Sequence, residues 1–166
     1  MTKVIVLNAD MTILGTTNYR RAIKLIVKGR AEALVDSEKR IHPSMAIPLV
    51  IRLVKAIRSL WRKEVPWSKA NVAARDNYKC QYCGVSLAKN KATIDHVIPR
   101  AQGGKNGWLN TVCACFDCNN KKEDRTPSQA KMGLSRQPFK PSIMEFLLMK
   151  IKAEGLEGVL IDLGVY

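Results

Sequence analysis

Acidic side chains are scarce in this chain, which has 14 Asp and Glu against 28 Lys and Arg and a formal net charge of +14 over 166 residues. With a sequence pI near 9.8, nucleic acid is the first partner to consider. The other readings of such charge are an anionic membrane surface, an acidic protein partner or simple solubility. Long apolar runs are also missing, and none reaches the roughly 20 residues that a bilayer-spanning helix needs. The opening MTKVIVLNAD has neither the long apolar segment nor the small-residue cleavage site of a signal peptide. A reducing compartment is therefore expected, with no membrane partner. Low-complexity tracts and internal repeats are absent too. What is present is apolar material, 46% of the residues, enough to bury the core of about one domain.

Residues 3–7, KVIVL, suit a short buried strand closed by a turn at Asn8 and Asp10. Asn18 is placed to cap a helix carrying Ala22, Ile23, Leu25 and Ile26 on one face, and Gly29 ends it. Ala31 to Val35 reads as a second strand. From Ile41 to Leu60 the pattern is ambiguous. Pro43 and Pro48 break its first half, and LVIRLVKAI fits either a buried strand or a basic-edged helix. Trp61 to Trp67, with Pro66, reads as a connection. Ser68 then caps a short helix through Ala74 that delivers the chain to its first cysteine pair. From Cys80 to Arg125 the composition shifts to Cys, Gly and Asn with few aliphatics. Pro127, Pro138 and Pro141 punctuate a basic stretch, and residues 142–153 (SIMEFLLMKIKA) read as a final amphipathic helix capped by Ser142. The expected division is an N-terminal α/β portion over 1–67, a metal-bearing module over 68–127, and a basic linker with a C-terminal helix over 128–166.

Five cysteines in a reducing compartment argue against a disulfide framework and for a metal site. Cys80 and Cys83 form one C-x-x-C pair, and Cys115 and Cys118 form another. Two such knuckles supply the four thiolates of a closed tetrahedral zinc site. The segment between them, residues 84–114, is longer than a zinc-ribbon gap, so an insert sits there. The bland alternatives are a redox dithiol or unrelated buried cysteines. A redox pair would accompany a thioredoxin-like pattern, which is missing, and would need only one C-x-x-C. Cys113 offers an alternative ligand, but its C-x-C spacing is less comfortable, and a small buried hydrophobe is the expected role.

Inside the insert lies TIDHVIPRAQGG. Asp95 and His96 are adjacent, so on a regular strand they would point to opposite faces. At a strand end or bulge His96 can face a water while Asp95 reaches a cation. An unperturbed imidazole suits a general base near neutral pH. A lone Asp-His pair is more often a local hydrogen-bonded loop pair. Here a cysteine cage encloses it, Gly103 and Gly104 follow on a turn, and the surroundings are basic. His42 has no such company and is expected on a loop or surface.

CQYC, TIDHVIPRAQGG, WLN and CFDCNNKK, in this order, resemble the HNH nuclease family, whose fold is a ββα-metal finger. The likeness is strongest from Ser68 to Pro127 and continues more loosely through VLNAD and YRRAIKLIVKGRAEAL. The fold class it implies is α+β, a ββα-metal (HNH) finger stapled by a four-cysteine zinc site, with an N-terminal α/β portion and a C-terminal helix. It also implies roles. His96 is the general base that deprotonates water, and Asp95 is the metal ligand beside it. Asn110 holds the catalytic loop through backbone hydrogen bonds. Asn119 is the second ligand, standing where the namesake pattern has His. Asn120 is adjacent and is the alternative for that role. An oxygen-donor pair with open positions suits Mg²⁺ or Mn²⁺ better than zinc, so Zn²⁺ is expected only at Cys80, Cys83, Cys115 and Cys118.

Arg100, Lys105, Lys121, Lys122 and Arg125 surround the motif and are the expected phosphate-backbone contacts to DNA. Arg20, Arg21, Lys24, Lys28 and Arg30 fall at helical spacing and extend that footprint. Any one of these can equally be a solvated surface charge. Trp67 and Trp108 are candidates for base stacking, with core packing the expected role for Trp108. The functional expectation is a DNA endonuclease or nickase of a bacterial or phage-infected cytoplasm. A non-catalytic zinc-finger DNA-binding protein is the alternative, and an RNA-directed protein is a weaker one. The C-terminal helix, with Ile143, Phe146, Leu147 and Ile151, either packs internally or forms a homodimer.

Overall fold

The computed structural model describes residues 2–57 and 64–165. These divide into two units: one runs to Glu64 and resumes at Ile143, the other is Val65–Ser142. The stretch 128–166, expected to follow the metal module as one piece, is thus shared between them. Of the expected connection from Trp61 to Trp67, residues 61–63 lie outside the described residues.

The first unit is a four-stranded sheet of order β2-β1-β4-β3, with β1 Lys3–Leu7, β2 Ile13–Asn18, β3 Ala31–His42 and β4 Met45–Leu53. Helix α1, Tyr19–Val27, starts where expected, because the Asn18 side chain accepts the Arg21 amide at 2.9 Å. It stops at Gly29, whose φ of 63° is a left-handed conformation that favours glycine. Alternation along β1 assigns the two sheet faces. Val4 and Ile51 pack with Ala22, Leu25 and Ile26 of α1. Ile5, Leu7, Ile13 and Val50 pack with α4 (Ile143–Ala153) and α5 (Glu157–Asp162) through Ile151, Leu147, Leu148 and Leu160. The apolar face of the C-terminal helix is therefore spent inside its own unit, and the structure lends no support to a homodimer built on it.

Three features of this unit differ from the sequence pattern. Strand β2 was hidden by the Gly and Thr content of ILGTTN. Its Gly15, at φ 128°, sits opposite Val6 where the β1–β2 register slips. The ambiguous segment resolves as strand β4 with a buried Pro48 inside it. Strand β1 pairs only with Val50 to Arg52, so it does not reach Pro48, and on the other side Pro48 lies opposite Asp36 of β3 at a register slip. The α5 helix has no counterpart in the sequence pattern.

In the second unit, α2 (Lys69–Arg75) is capped by Ser68, whose Oγ accepts the Asn71 amide at 3.1 Å. A two-stranded antiparallel sheet, β5 Thr93–His96 with β6 Thr111–Ala114, is followed by α3, Phe116–Lys122. This is the expected ββα order. One buried ion pair organises it. Arg75 holds Asp76 through two bonds, Nε to Oδ1 at 2.8 Å and Nη2 to Oδ2 at 2.9 Å. The same guanidinium donates to the carbonyls of Trp108, Thr111 and Phe139, while Asp76 Oδ2 accepts the Cys113 amide. Trp108 is buried and donates Nε1 to the Val65 carbonyl at 3.0 Å, which is a core role. Trp67 is half-buried, with Nε1 on Thr111 Oγ1 at 2.9 Å.

Candidate active site and metal cage

The four cysteine sulfurs of the two knuckles lie within 4.8 Å of one another. A tetrahedral zinc with Zn–S of about 2.3 Å requires S···S separations of about 3.8 Å. Cys83 and Cys115 are already 3.8 Å apart, so the donor set fits the ion in number, chemistry and spacing. Local backbone explains the geometry. Gly84, at φ 76°, returns its N–H to the Cys80 carbonyl at 2.8 Å, and Cys115 caps α3 by accepting the Cys118 amide. Burial pushes the Cys80 thiol up, but backbone hydrogen bonds at Cys115, Cys83 and Tyr82 outweigh it and bring the group down to about 7. Cys113 lies outside the cluster and is fully buried. Burial first, and then the charge of Asp76, push its thiol up to about 12, so it stays protonated.

Beside the cage is an open cleft of about 680 Å³ lined by Asp95, His96, Arg100, Asn119, Asn120 and Lys122, among others. Asp95 and His96 come from the end of β5, and Asn119 comes from α3 one residue after Cys118. The strand-end placement resolves the opposite-faces problem. Asp95 is buried while the last strand residue, His96, is half-exposed. The His96 Nε2 is 2.8 Å from Asn106 Oδ1. The Asn119 amide nitrogen donates to Thr93 Oγ1 at 3.3 Å, so that its carbonyl oxygen is the end that could hold a cation. A carboxylate and an amide oxygen in one open cleft match a hard divalent cation.

Asn110 is not a lining residue of this cleft. Its amide accepts the Ile98 N–H at 2.8 Å and donates to the carbonyls of Ile98 and Lys105 at 3.1 and 3.0 Å, tying down the loop after β5. Gly104 belongs to the same arrangement, since a Cβ there would stand 1.8 Å from the Ile98 carbonyl oxygen.

The basic residues separate into groups. Arg100, Lys105 and Lys121 are exposed. Arg125 is exposed but spends its guanidinium on the carbonyls of Lys121 and Lys122 at the end of α3. Lys122 departs from the expectation of a phosphate contact. It is fully buried, with Nζ 3.1 Å from Asp95 Oδ1, because α3 turns that face toward β5. Three participants escaped the sequence reading. Tyr82 donates its hydroxyl to Asp95 Oδ2 at 2.5 Å, Asn106 meets His96, and Thr93 meets Asn119. Burial and the Asp95 carboxylate push the Tyr82 phenol well above the usual tyrosine range, so it remains a donor. Tyr82 stood in plain view inside CQYC, but nothing in that pattern says where its ring goes.

Residues 80–135 match a family described as HNH endonuclease, and residues 4–61 match one described as an HNH endonuclease-associated N-terminal domain. Over 49 residues, 29% of the chain, it is 41% identical to a CRISPR-associated endonuclease Cas9 of Corynebacterium diphtheriae. That stretch spans 4% of the Cas9 chain.

Proposed function

We infer that this chain, placed in the HNH endonuclease family by its residues 80–135, is a metal-dependent nuclease that hydrolyses phosphodiester bonds in DNA. The observation that carries this reading is the cleft that gathers Asp95, His96 and Asn119 next to the four-sulfur cage. A zinc-finger binding module needs the cage and the positive charge, and has no use for that trio.

Hydrolysis needs an activated water, neutralised phosphoryl charge and help for the departing 3′ oxygen. His96 takes the proton from water. In the tautomer that donates Nε2–H to Asn106, its Nδ1 carries the accepting lone pair. Asp95 and Asn119 would hold Mg²⁺ or Mn²⁺, which when bound supplies Lewis-acid stabilisation of the phosphoryl and leaving oxygens. Asn110 keeps the loop after β5 in register by its three backbone bonds. Arg100 on the cleft wall, with Lys105 and Lys121, contacts phosphates without reading sequence. Zinc at Cys80, Cys83, Cys115 and Cys118 would set geometry only, since four protein ligands leave no open position.

Supercoiled-plasmid cleavage with Mg²⁺ or Mn²⁺ tests this. Metal-dependent nicking or linearisation is expected, lost with EDTA and in His96→Ala. A zinc-loaded wild type that shifts DNA and cuts none would move the assignment to the binding module.

A further inference from the structure

Both knuckles of the cage run directly into the proposed cation ligands. The second does so through the chain, because Cys115 caps α3 and Asn119 follows Cys118 within it. The first does so through a side chain. Tyr82 lies between Cys80 and Cys83, its ring packs with Cys80, Ala114 and Cys115, and its hydroxyl reaches Asp95 Oδ2 at 2.5 Å.

Pairing of Asp95 with Val112 fixes the backbone of β5 at that residue, but not the rotation of the carboxylate. Two donors on different oxygens do that, Tyr82 on Oδ2 and Lys122 on Oδ1. An ionised carboxylate has about four lone-pair positions, so two donors orient it and still leave positions for a cation. The Tyr82 contact has the length of a strong O–H···O⁻ bond. Partners of this kind behind a metal ligand commonly set its orientation.

We propose that Tyr82 is a positioning residue through which the first zinc knuckle sets the Asp95 carboxylate for the catalytic divalent cation, coupling the cage to the cation site. The proposal rests on the reading of Asp95 and Asn119 as cation ligands. The rival account is that Tyr82 packs the knuckle and its hydroxyl merely takes the nearest acceptor. The two differ in what the loss of one oxygen atom does.

The test is Mn²⁺ affinity by electron paramagnetic resonance on the zinc-loaded protein, comparing wild type, Tyr82→Phe and Tyr82→Met, with zinc content measured on each. Both variants are expected to keep one zinc per chain and bind Mn²⁺ about 10–100-fold more weakly. The Mn²⁺ concentration for half-maximal cleavage should rise in step, with KM for DNA unchanged. Unchanged Mn²⁺ affinity in both zinc-replete variants overturns the proposal while leaving the nuclease reading intact. Loss of zinc from Tyr82→Phe also overturns it, because the residue would then be part of the cage packing. A wild type that binds no Mn²⁺ overturns both this proposal and the reading beneath it.

Discussion

Lys122 places its ammonium 3.1 Å from Oδ1 of Asp95, with both side chains buried in the second unit. A buried ion pair of this kind is costly to break on one side, because the carboxylate that remains loses its charge partner while still largely buried.

Lys122→Met is therefore expected to destabilise the protein by about 3–5 kcal/mol in urea denaturation. It should leave the salt dependence of DNA binding nearly unchanged, since the ammonium is buried against Asp95 rather than exposed. Lys121→Ala should do the reverse, lowering the slope of log affinity against log salt by about 1 with stability nearly intact. Fluorescence anisotropy across a salt series separates the two.

Arg75 and Asp76 form the other buried pair, with three backbone carbonyls and one amide depending on them. Asp76→Ala strands the guanidinium and frees the Cys113 N–H. A loss of about 3–5 kcal/mol is expected in denaturant unfolding, without any direct effect on cleft chemistry in protein that remains folded.

Gly104→Ala tests the loop after β5. The added carbon would overlap the Ile98 carbonyl oxygen and crowd the Asn110 amide, so the loop must move. A displacement of about 1 Å in a catalytic element costs on the order of 100-fold in rate. Single-turnover cleavage should fall by that amount while zinc content, read by metal analysis, stays the same. Full activity in Gly104→Ala would mean that the loop position does not matter.

Among the cysteines, Cys83→Ser should abolish zinc binding and the cooperative unfolding of the second unit, since structural zinc supplies folding free energy outright. Cys113→Ala should retain one zinc per chain, because its sulfur lies outside the four-sulfur cluster. Zinc release measured with a chromogenic chelator distinguishes them.

Much of the candidate site was legible in the order of residues because the relevant constraints are local. Two C-x-x-C pairs put sulfurs on tight knuckles, Asn18 and Ser68 cap the helices that follow them, and Gly29 ends the first helix. Pattern reading was weaker where the deciding contact is distant. Pro48 reads as a strand breaker, yet β1 does not reach it on one side and on the other it pairs with Asp36 of β3 where the register slips. Lys122 looked like one of several surface cations, and a helix face cannot be assigned to solvent or interior from a seven-residue segment alone.

By itself, then, the sequence determined the two cysteine knuckles, the helix starts and the residue types available for hydrolysis, since each depends on spacing within a few positions. Tertiary structure alone decided that Asn119 shares a cleft with Asp95 and His96, and that Tyr82 and Lys122 grip Asp95 from two sides. It alone turned α4 inward against β2. Those outcomes depend on which apolar faces meet when the elements pack, and burial is a property of the packed whole rather than of any stretch of chain.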